Sequence, residues 1–134
     1  MTGIEEIAYV AARVLSCGLW LAAGAYKIAH YRESADDIAQ HGVPCARAVL
    51  PLVLLLLLGG SALVIADVYV WAVSLAWIAF LVPTSFIYHG GFVTRDRSID
   101  FFQLVLFWKN VSMAGGLIAL ILLDPSRPAW LLRG

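Results

Sequence analysis

Five polar side chains near the ends of apolar stretches have the types and spacing to form one binding site. Lys27 and His30 lie about one helical turn apart, His89 ends a second stretch, and Lys109 and Asn110 are adjacent in a third. A helical Cβ tilts toward the helix N-terminus, so the Lys27 side chain points back toward the apolar stretch. Cations at this depth suit an anionic headgroup, a quinone carbonyl or a partner's carboxylate. The alternative is a set of unrelated residues, with lysines that reach for water and histidines at the interface.

Arg13 is a further ionisable residue inside an apolar stretch. Burying a charge in lipid is costly, so Arg13 either extends to its own membrane surface or faces other helices. Both readings stay open for this buried charge. Asp67 fits a tight turn, and four further aspartates are predicted to lie in solvated loops, namely Asp36, Asp37, Asp96 and Asp100.

The sequence predicts no metal site. Cys17 and Cys45 stand alone, without a C-x-x-C pair or a Cys/His set at metal spacing. A disulfide between them is possible in principle but has no support. No haem or flavin motif occurs; His30 and His89 could ligate a haem only from the ends of two separate helices, which is a minor alternative.

The composition excludes an ordinary soluble domain. The 134 residues are 62% hydrophobic and 13% charged, against about 45–50% and about 25% in typical soluble domains. Nine basic and nine acidic residues cancel, so no bulk charge suggests a nucleic acid partner. Lipid is the solvent that fits this chain.

Four stretches are long and apolar enough to cross a membrane, which takes roughly 20 residues. We predict spans at about 7–26, 48–66, 68–88 and 101–123 in one domain, residues 1–134. Strand alternation is absent, so the predicted fold is an all-α integral membrane four-helix bundle. The acidic start of the chain argues against a cleaved signal peptide and for a retained first helix. Pro83 predicts a kink in the third span.

Glycines provide small surfaces where helices can approach closely. The candidates for helix packing are Gly18, Gly24, Gly59, Gly60, Gly115 and Gly116.

The distribution of basic residues predicts the orientation. Segments 27–47 and 89–100 hold five of them, and the opposite end holds Arg127 and Arg133, with Arg13 if it extends there. By the positive-inside rule these two segments face the cytoplasm.

These residues together resemble the DoxX-like proteins over about residues 10–123. The resemblance is carried by Arg13-x10-Gly24-x-x-Lys27, Gly42-Val43-Pro44, Gly59-Gly60, His89, Trp108-Lys109-Asn110 and Ala114-Gly115-Gly116. It implies four helices in a bacterial or archaeal inner membrane. Founding members of the family are small subunits of a thiosulfate:quinone oxidoreductase attached to a terminal oxidase. Many relatives carry a glutamate shortly before the second-span glycine pair; here Leu56 stands there, which removes a candidate proton relay.

Three functions remain open at this stage. The first is a quinone-linked oxidoreductase subunit, in which Lys27, His89 and Lys109 polarise the carbonyls and Trp108 packs against the ring. The second is a non-catalytic accessory subunit that packs against other membrane subunits as well as lipids. The third, a small-molecule transporter, is weakened because no acidic residue lies at membrane depth.

Overall fold

Five α-helices make up most of the chain in a computed structural model that describes residues 2–132. They are α1 (Gly3–Ala29), α2 (Tyr31–Gln40), α3 (Ala46–Ile65), α4 (Val70–His89) and α5 (Phe101–Leu123). All except α2 are long and apolar enough to cross a membrane. The predicted all-α membrane bundle is confirmed. Arg133, used in the orientation argument, lies outside the described residues.

Helix α1 begins at Gly3, earlier than the predicted start at residue 7. The reason is a capping box: the Thr2 hydroxyl accepts from the backbone N–H of Glu5 (3.4 Å), and the Glu5 carboxylate accepts from the N–H of Thr2 (2.7 Å). Two otherwise unpaired backbone donors are satisfied in this way. With 27 residues, α1 is about 40 Å long at 1.5 Å per residue.

Asp36 and Asp37 lie in helix α2, and the prediction that they belong to a solvated loop is wrong. The segment forms an amphipathic helix whose Ala35 and Ile38 pack against Ala46 and other apolar residues of α3. Asp36 is exposed, whereas Asp37 is partly buried. The amphipathic pattern of this helix is weak in the sequence, because most of its residues are polar or charged and only the spacing of a few apolar residues indicates the buried face.

Helix α3 contains a π-helical turn at Leu55–Gly59. Such a turn leaves backbone groups without the usual partner. Here the Trp77 indole N–H donates to the Leu56 carbonyl (3.1 Å), and the Ser61 hydroxyl donates to the Leu57 carbonyl (2.6 Å). The turn therefore joins α3 to α4.

Helix α4 continues through Pro83 from Val70 to His89. The Thr84 and Ser85 hydroxyls donate to the carbonyls of Phe80 and Leu81, both at 2.6 Å. Hydroxyl bonds of this kind support a helix around a membrane proline. They bind carbonyls one and two residues beyond Ala79, whose usual partner the proline removes.

The core joins all four long helices. Helices α4 and α5 pack together most extensively, and α1 lies against both α3 and α5. At mid-bundle Trp20 stacks on the fully buried Trp77, with ring centroids 5.0 Å apart, and meets the edge of Phe80 at 6.3 Å. We call the end with segments 27–47 and 89–100 the loop face, and the opposite end the terminal face.

Only some of the predicted packing glycines lie in close contacts. A Cβ on Gly24 would approach Leu58 Cδ2 to 2.5 Å, and one on Gly60 would approach Val73 at 3.0 Å. Gly59 meets only Leu55 of its own helix. The others have open space where a Cβ would stand: Gly18, Gly115 and Gly116.

Candidate functional site

A cavity of about 430 Å³ lies inside the loop-face half of the bundle. Every long helix and α2 contribute to its wall, which is mainly apolar. Along α1 the wall runs from Leu19 to Lys27, roughly 12 Å at 1.5 Å per residue. A small number of polar residues line it: Lys27, Thr84, Tyr88, His89, Lys109 and Asn110. Cavities of this size and lining are the usual form of small-molecule sites.

Four of the six residues predicted to bind a ligand therefore line one cavity: Lys27, His89, Lys109 and Asn110. His30 lies outside it and stacks on Tyr26 at 4.3 Å, with its Nδ1 3.1 Å from the Tyr26 carbonyl. Trp108 also lies outside the lining and is 58% exposed. The structure thus brings together the cations, the amide and one histidine, but not the predicted aromatic partner.

Asn110 is the residue that most clearly indicates a binding site. Its side chain lines the cavity and the residue is only 7% exposed; no side-chain hydrogen bond of residues 2–132 involves its amide, and the amide atoms are not among the fully buried polar atoms without a partner, so they are accessible from the cavity. The Asn110 amide is therefore a donor and acceptor available to a bound molecule.

His89 is oriented by a side chain of α5. Asp100 caps α5 by accepting from the Gln103 backbone N–H (3.2 Å), and this fixes Gln103 beside the end of α4. The Gln103 side-chain oxygen then accepts from His89 Nδ1 (2.8 Å). With the proton on Nδ1, the neutral ring keeps Nε2 as an acceptor. Asp100, expected to be a loop residue, is thus the first member of a chain that orients His89.

Aromatic residues missed by sequence reasoning form part of the wall. Trp20 and Phe80 line the cavity at mid-bundle, and Tyr88 lines it near the loop face. Tyr88 stacks on His41 of the α2–α3 connection, with centroids 4.0 Å apart. The sequence carries no signal for Trp20 and Phe80, because apolar residues surround both and helical spacing alone does not show which face is inward.

Arg13 belongs to a separate group at the terminal face. Its side chain is 11% exposed and forms an ion pair with Asp67, and the Tyr9 hydroxyl donates to the same carboxylate (2.9 Å). The guanidinium also lies 4.9 Å from the centroid of the Tyr9 ring. Arg13 thus contacts another part of the bundle and also reaches its own end of it, since Asp67 is 51% exposed at the terminal face. Asp67, read as a plain turn residue, has a positive φ of 62° but also serves as the counter-ion.

The electrostatics of Asp67 follow from this pairing. The hydrogen bond from Arg13 lowers the pKa of the Asp67 carboxyl below its usual value of 3.8, and the Tyr9 hydroxyl adds to the effect, while burial opposes it. The carboxylate is therefore the favoured form at neutral pH.

Metal ligands are not grouped within residues 2–132: no three His, Cys, Asp or Glu side chains lie close enough to hold an ion. Cys17 is buried and its thiol lies 3.7 Å from the Ser61 carbonyl, whereas Cys45 is exposed, and both are free.

Comparison with known proteins gives two matches and one negative result. The family model described as DoxX matches residues 8–90. The inner membrane protein YqjF of Escherichia coli (strain K12) is 29% identical over 125 residues, which cover 93% of this chain and 90% of that protein. No solved structure matches significantly. The family match includes the cavity residues of α1 to α4, while Lys109 and Asn110 lie beyond it.

Proposed function

The chain belongs to the DoxX family of membrane proteins, and from this premise we propose that it is an inner-membrane subunit that binds a quinone in the loop-face cavity. The observation that carries the proposal is the unpartnered Asn110 amide in an apolar cavity that also contains Lys27 and His89. The relative from Escherichia coli is named as an inner membrane protein.

The residues present fit a quinone head. Quinone carbonyls accept hydrogen bonds, and the Lys27 ammonium and the Asn110 amide supply donors from two different helices. Trp20 and Phe80 offer ring surfaces in the apolar part of the wall. His89 Nε2, free because Nδ1 is bound to Gln103, can accept a proton from a quinol hydroxyl. A bound quinone would supply two-electron, two-proton redox chemistry.

The electrons would be exchanged with a redox-active partner subunit. The chain's own part in this function is to bind and orient the quinone head, to surround it with apolar side chains, and to place His89 beside its oxygen. Because the chain binds the quinone head but exchanges no electrons itself under this proposal, we propose that it associates with a quinone-linked oxidoreductase complex.

A non-catalytic accessory role is the second candidate, and one observation favours it. Gly115 and Gly116 are exposed on α5 with open space where a Cβ would stand. Small residues on a lipid-facing helix surface allow the helix of another subunit to approach closely. Purification in mild detergent, followed by mass spectrometry of the proteins that elute together, tests for such a subunit.

Quenching of tryptophan fluorescence tests the quinone proposal directly. Trp20 lines the cavity, so a short-chain ubiquinone added to the purified full-length protein should quench part of the emission saturably. Asn110→Leu should weaken this binding about tenfold, since one hydrogen bond in a dry site contributes on the order of 1.4 kcal/mol.

The matched control is Trp108→Phe, which removes a tryptophan that lies outside the cavity and should leave the saturable component in place. Quenching that rises linearly with quinone and is identical in Asn110→Leu would mean that the quinone only dissolves in the detergent, and the proposal would be rejected.

A further inference from the structure

A second cavity, of about 340 Å³, lies beside the first at the loop face. We call it the vestibule; it is lined by Tyr26, Lys27, Glu33, Ser34 and Asp37. Unlike the loop-face cavity, the vestibule is lined almost entirely by polar and charged residues, which come from the last turn of α1 and from α2. Lys27 lines both cavities.

The charged groups of the vestibule face one space without neutralising one another. Lys27 forms no ion pair with Glu33 or Asp37 among the described residues. Asp37 lies 3.5 Å from His41, a pair that is ionic when the histidine is protonated, and the Tyr88 hydroxyl also contacts its carboxylate. Opposite charges that share a cavity but remain apart leave room for a ligand between them. Such a ligand would need an anionic part for the lysine and a cationic part for the carboxylates.

Ser34 gives an independent indication of a ligand. It lines the vestibule and is only 6% exposed; no side-chain hydrogen bond of residues 2–132 involves its hydroxyl, and the oxygen is not among the fully buried polar atoms without a partner, so it is accessible from the vestibule. A buried hydroxyl is normally satisfied, by protein, by water or by a ligand. The hydroxyl can accept a hydrogen bond from a cationic donor placed between Glu33 and Asp37.

The position of the vestibule indicates where the ligand comes from. Lys27 lies in the last turn of a helix longer than the hydrocarbon core requires, and the adjacent Tyr26 is 60% exposed. Tyrosines at such helix ends mark the headgroup region of a bilayer. The vestibule therefore lies at the depth of lipid headgroups.

From these observations we propose that the vestibule binds a primary-amine zwitterionic phospholipid headgroup, that of phosphatidylethanolamine. The phosphate lies at Lys27, and the ammonium lies between Glu33 and Asp37 and donates to Ser34. A purely anionic headgroup would meet two carboxylates for one lysine. A quaternary ammonium has no N–H to donate, so it would leave the Ser34 hydroxyl unsatisfied. This site shares Lys27 with the loop-face cavity, but its other contacts, to Glu33, Ser34 and Asp37, are separate from that cavity.

Native mass spectrometry of the purified full-length protein tests the proposal without any quinone present. Phosphatidylethanolamine, phosphatidylcholine and phosphatidylglycerol with identical acyl chains are titrated separately. We expect phosphatidylethanolamine to bind about fivefold more tightly than either of the others, the equivalent of one partly screened charged contact.

Neighbouring residues of α2 give a matched pair of variants. Asp37→Asn should abolish most of the preference, whereas Asp36→Asn, an identical change at an exposed position outside the vestibule, should leave it intact. Glu33→Gln serves as a second variant if Asp37→Asn folds poorly, and the melting temperature of each is checked first.

Soluble phosphoethanolamine distinguishes the source of the headgroup. If it binds as tightly as the lipid and is lost in Asp37→Asn, the vestibule recognises this chemistry in a soluble molecule. Equal binding of the three lipids together with no binding of phosphoethanolamine would overturn the proposal. Equal losses in Asp36→Asn and Asp37→Asn would overturn it as well.

Discussion

Polar residues within and at the ends of the bundle fall into two sets. At the terminal face, Arg13 and Tyr9 both bind the Asp67 carboxylate, so the charge is balanced within the protein. At the loop face, Asn110 and Ser34 are largely buried, each lines a cavity, and no side-chain hydrogen bond to protein within residues 2–132 involves either of them. An unsatisfied polar group costs more in lipid than in water. The first set therefore stabilises the fold, and the second is suited to bind a ligand.

The Arg13–Asp67 pair predicts a specific effect on stability. Asp67→Asn should lower the free energy of unfolding by about 1 kcal/mol at pH 7; the loss is small because water screens a half-exposed pair, and the Asp67 side chain is 51% exposed. Thermal unfolding in detergent measures it. Asp36→Asn, at an exposed position without such a partner, is the control and should change little.

The same pair predicts a pH dependence. Because folding lowers the pKa of Asp67, the unfolded chain takes up the proton first as the pH falls. The stabilisation is therefore complete above the usual value of 3.8 and is lost as the pH falls below it through the folded pKa. The difference in stability between the wild type and Asp67→Asn should shrink over that range; a difference that stays constant from pH 7 downward contradicts the pairing.

At the level of elements, the helices differ in how tightly each surface is packed. Helix α1 meets α3 closely at Gly24, where the Leu58 side chain occupies the space of a Cβ, while Gly116 of α5 has no neighbour within 4 Å of that position. The π-helical turn of α3 adds a directed contact through Trp77. The α1–α3–α4 side of the bundle is thus specified by close fit, and part of the α5 surface remains open.

Two alanine substitutions test this difference. Gly24→Ala and Gly116→Ala make the same chemical change in a helix and carry the same gain in helix propensity, up to about 1 kcal/mol. We expect Gly116→Ala to be neutral or stabilising, and Gly24→Ala to be destabilising by about 1–3 kcal/mol because Leu58 must move. Chemical denaturation of both purified variants provides the comparison; equal effects would refute the close contact at Gly24.

At the scale of the whole molecule, the two polar sets lie at opposite ends of the bundle with aromatic residues between them. Trp20 and Phe80 line the mid-bundle part of the cavity, and Trp77 is stacked behind Trp20. The polar residues of the cavity and the entire vestibule lie toward the loop face. If the proposed function holds, protons are exchanged with the side of the membrane that the loop face occupies, so the orientation of the protein bears on that function.

The two free cysteines allow the orientation to be measured. Cys45 is exposed on the loop face and Cys17 is buried, so a membrane-impermeant maleimide should react with Cys45 alone. By the positive-inside rule we expect labelling in inverted membrane vesicles and none in intact spheroplasts. Cys45→Ser should abolish the signal. Labelling in intact spheroplasts would show that the loop face is external.

Hydropathy and a few short motifs are enough to predict an all-α fold with four helices long and apolar enough to cross a membrane, and the DoxX family. Span length and apolar content are local properties, and the bilayer imposes the same requirement on any chain that crosses it. The predicted spans also place Lys27 and His89 at the loop face, because each of them lies at the end of a span.

Only the tertiary structure decided which polar groups meet. Tyr9 and Asp67 are 58 residues apart in sequence, and neither the burial of Arg13 nor its pairing follows from helix length. The sequence analysis did not predict helix α2, because only a narrow face of this helix is apolar and the rest is charged. Without α2 the vestibule could not be predicted either. The rotation of each helix about its axis sets these contacts, and that rotation depends on packing between distant segments.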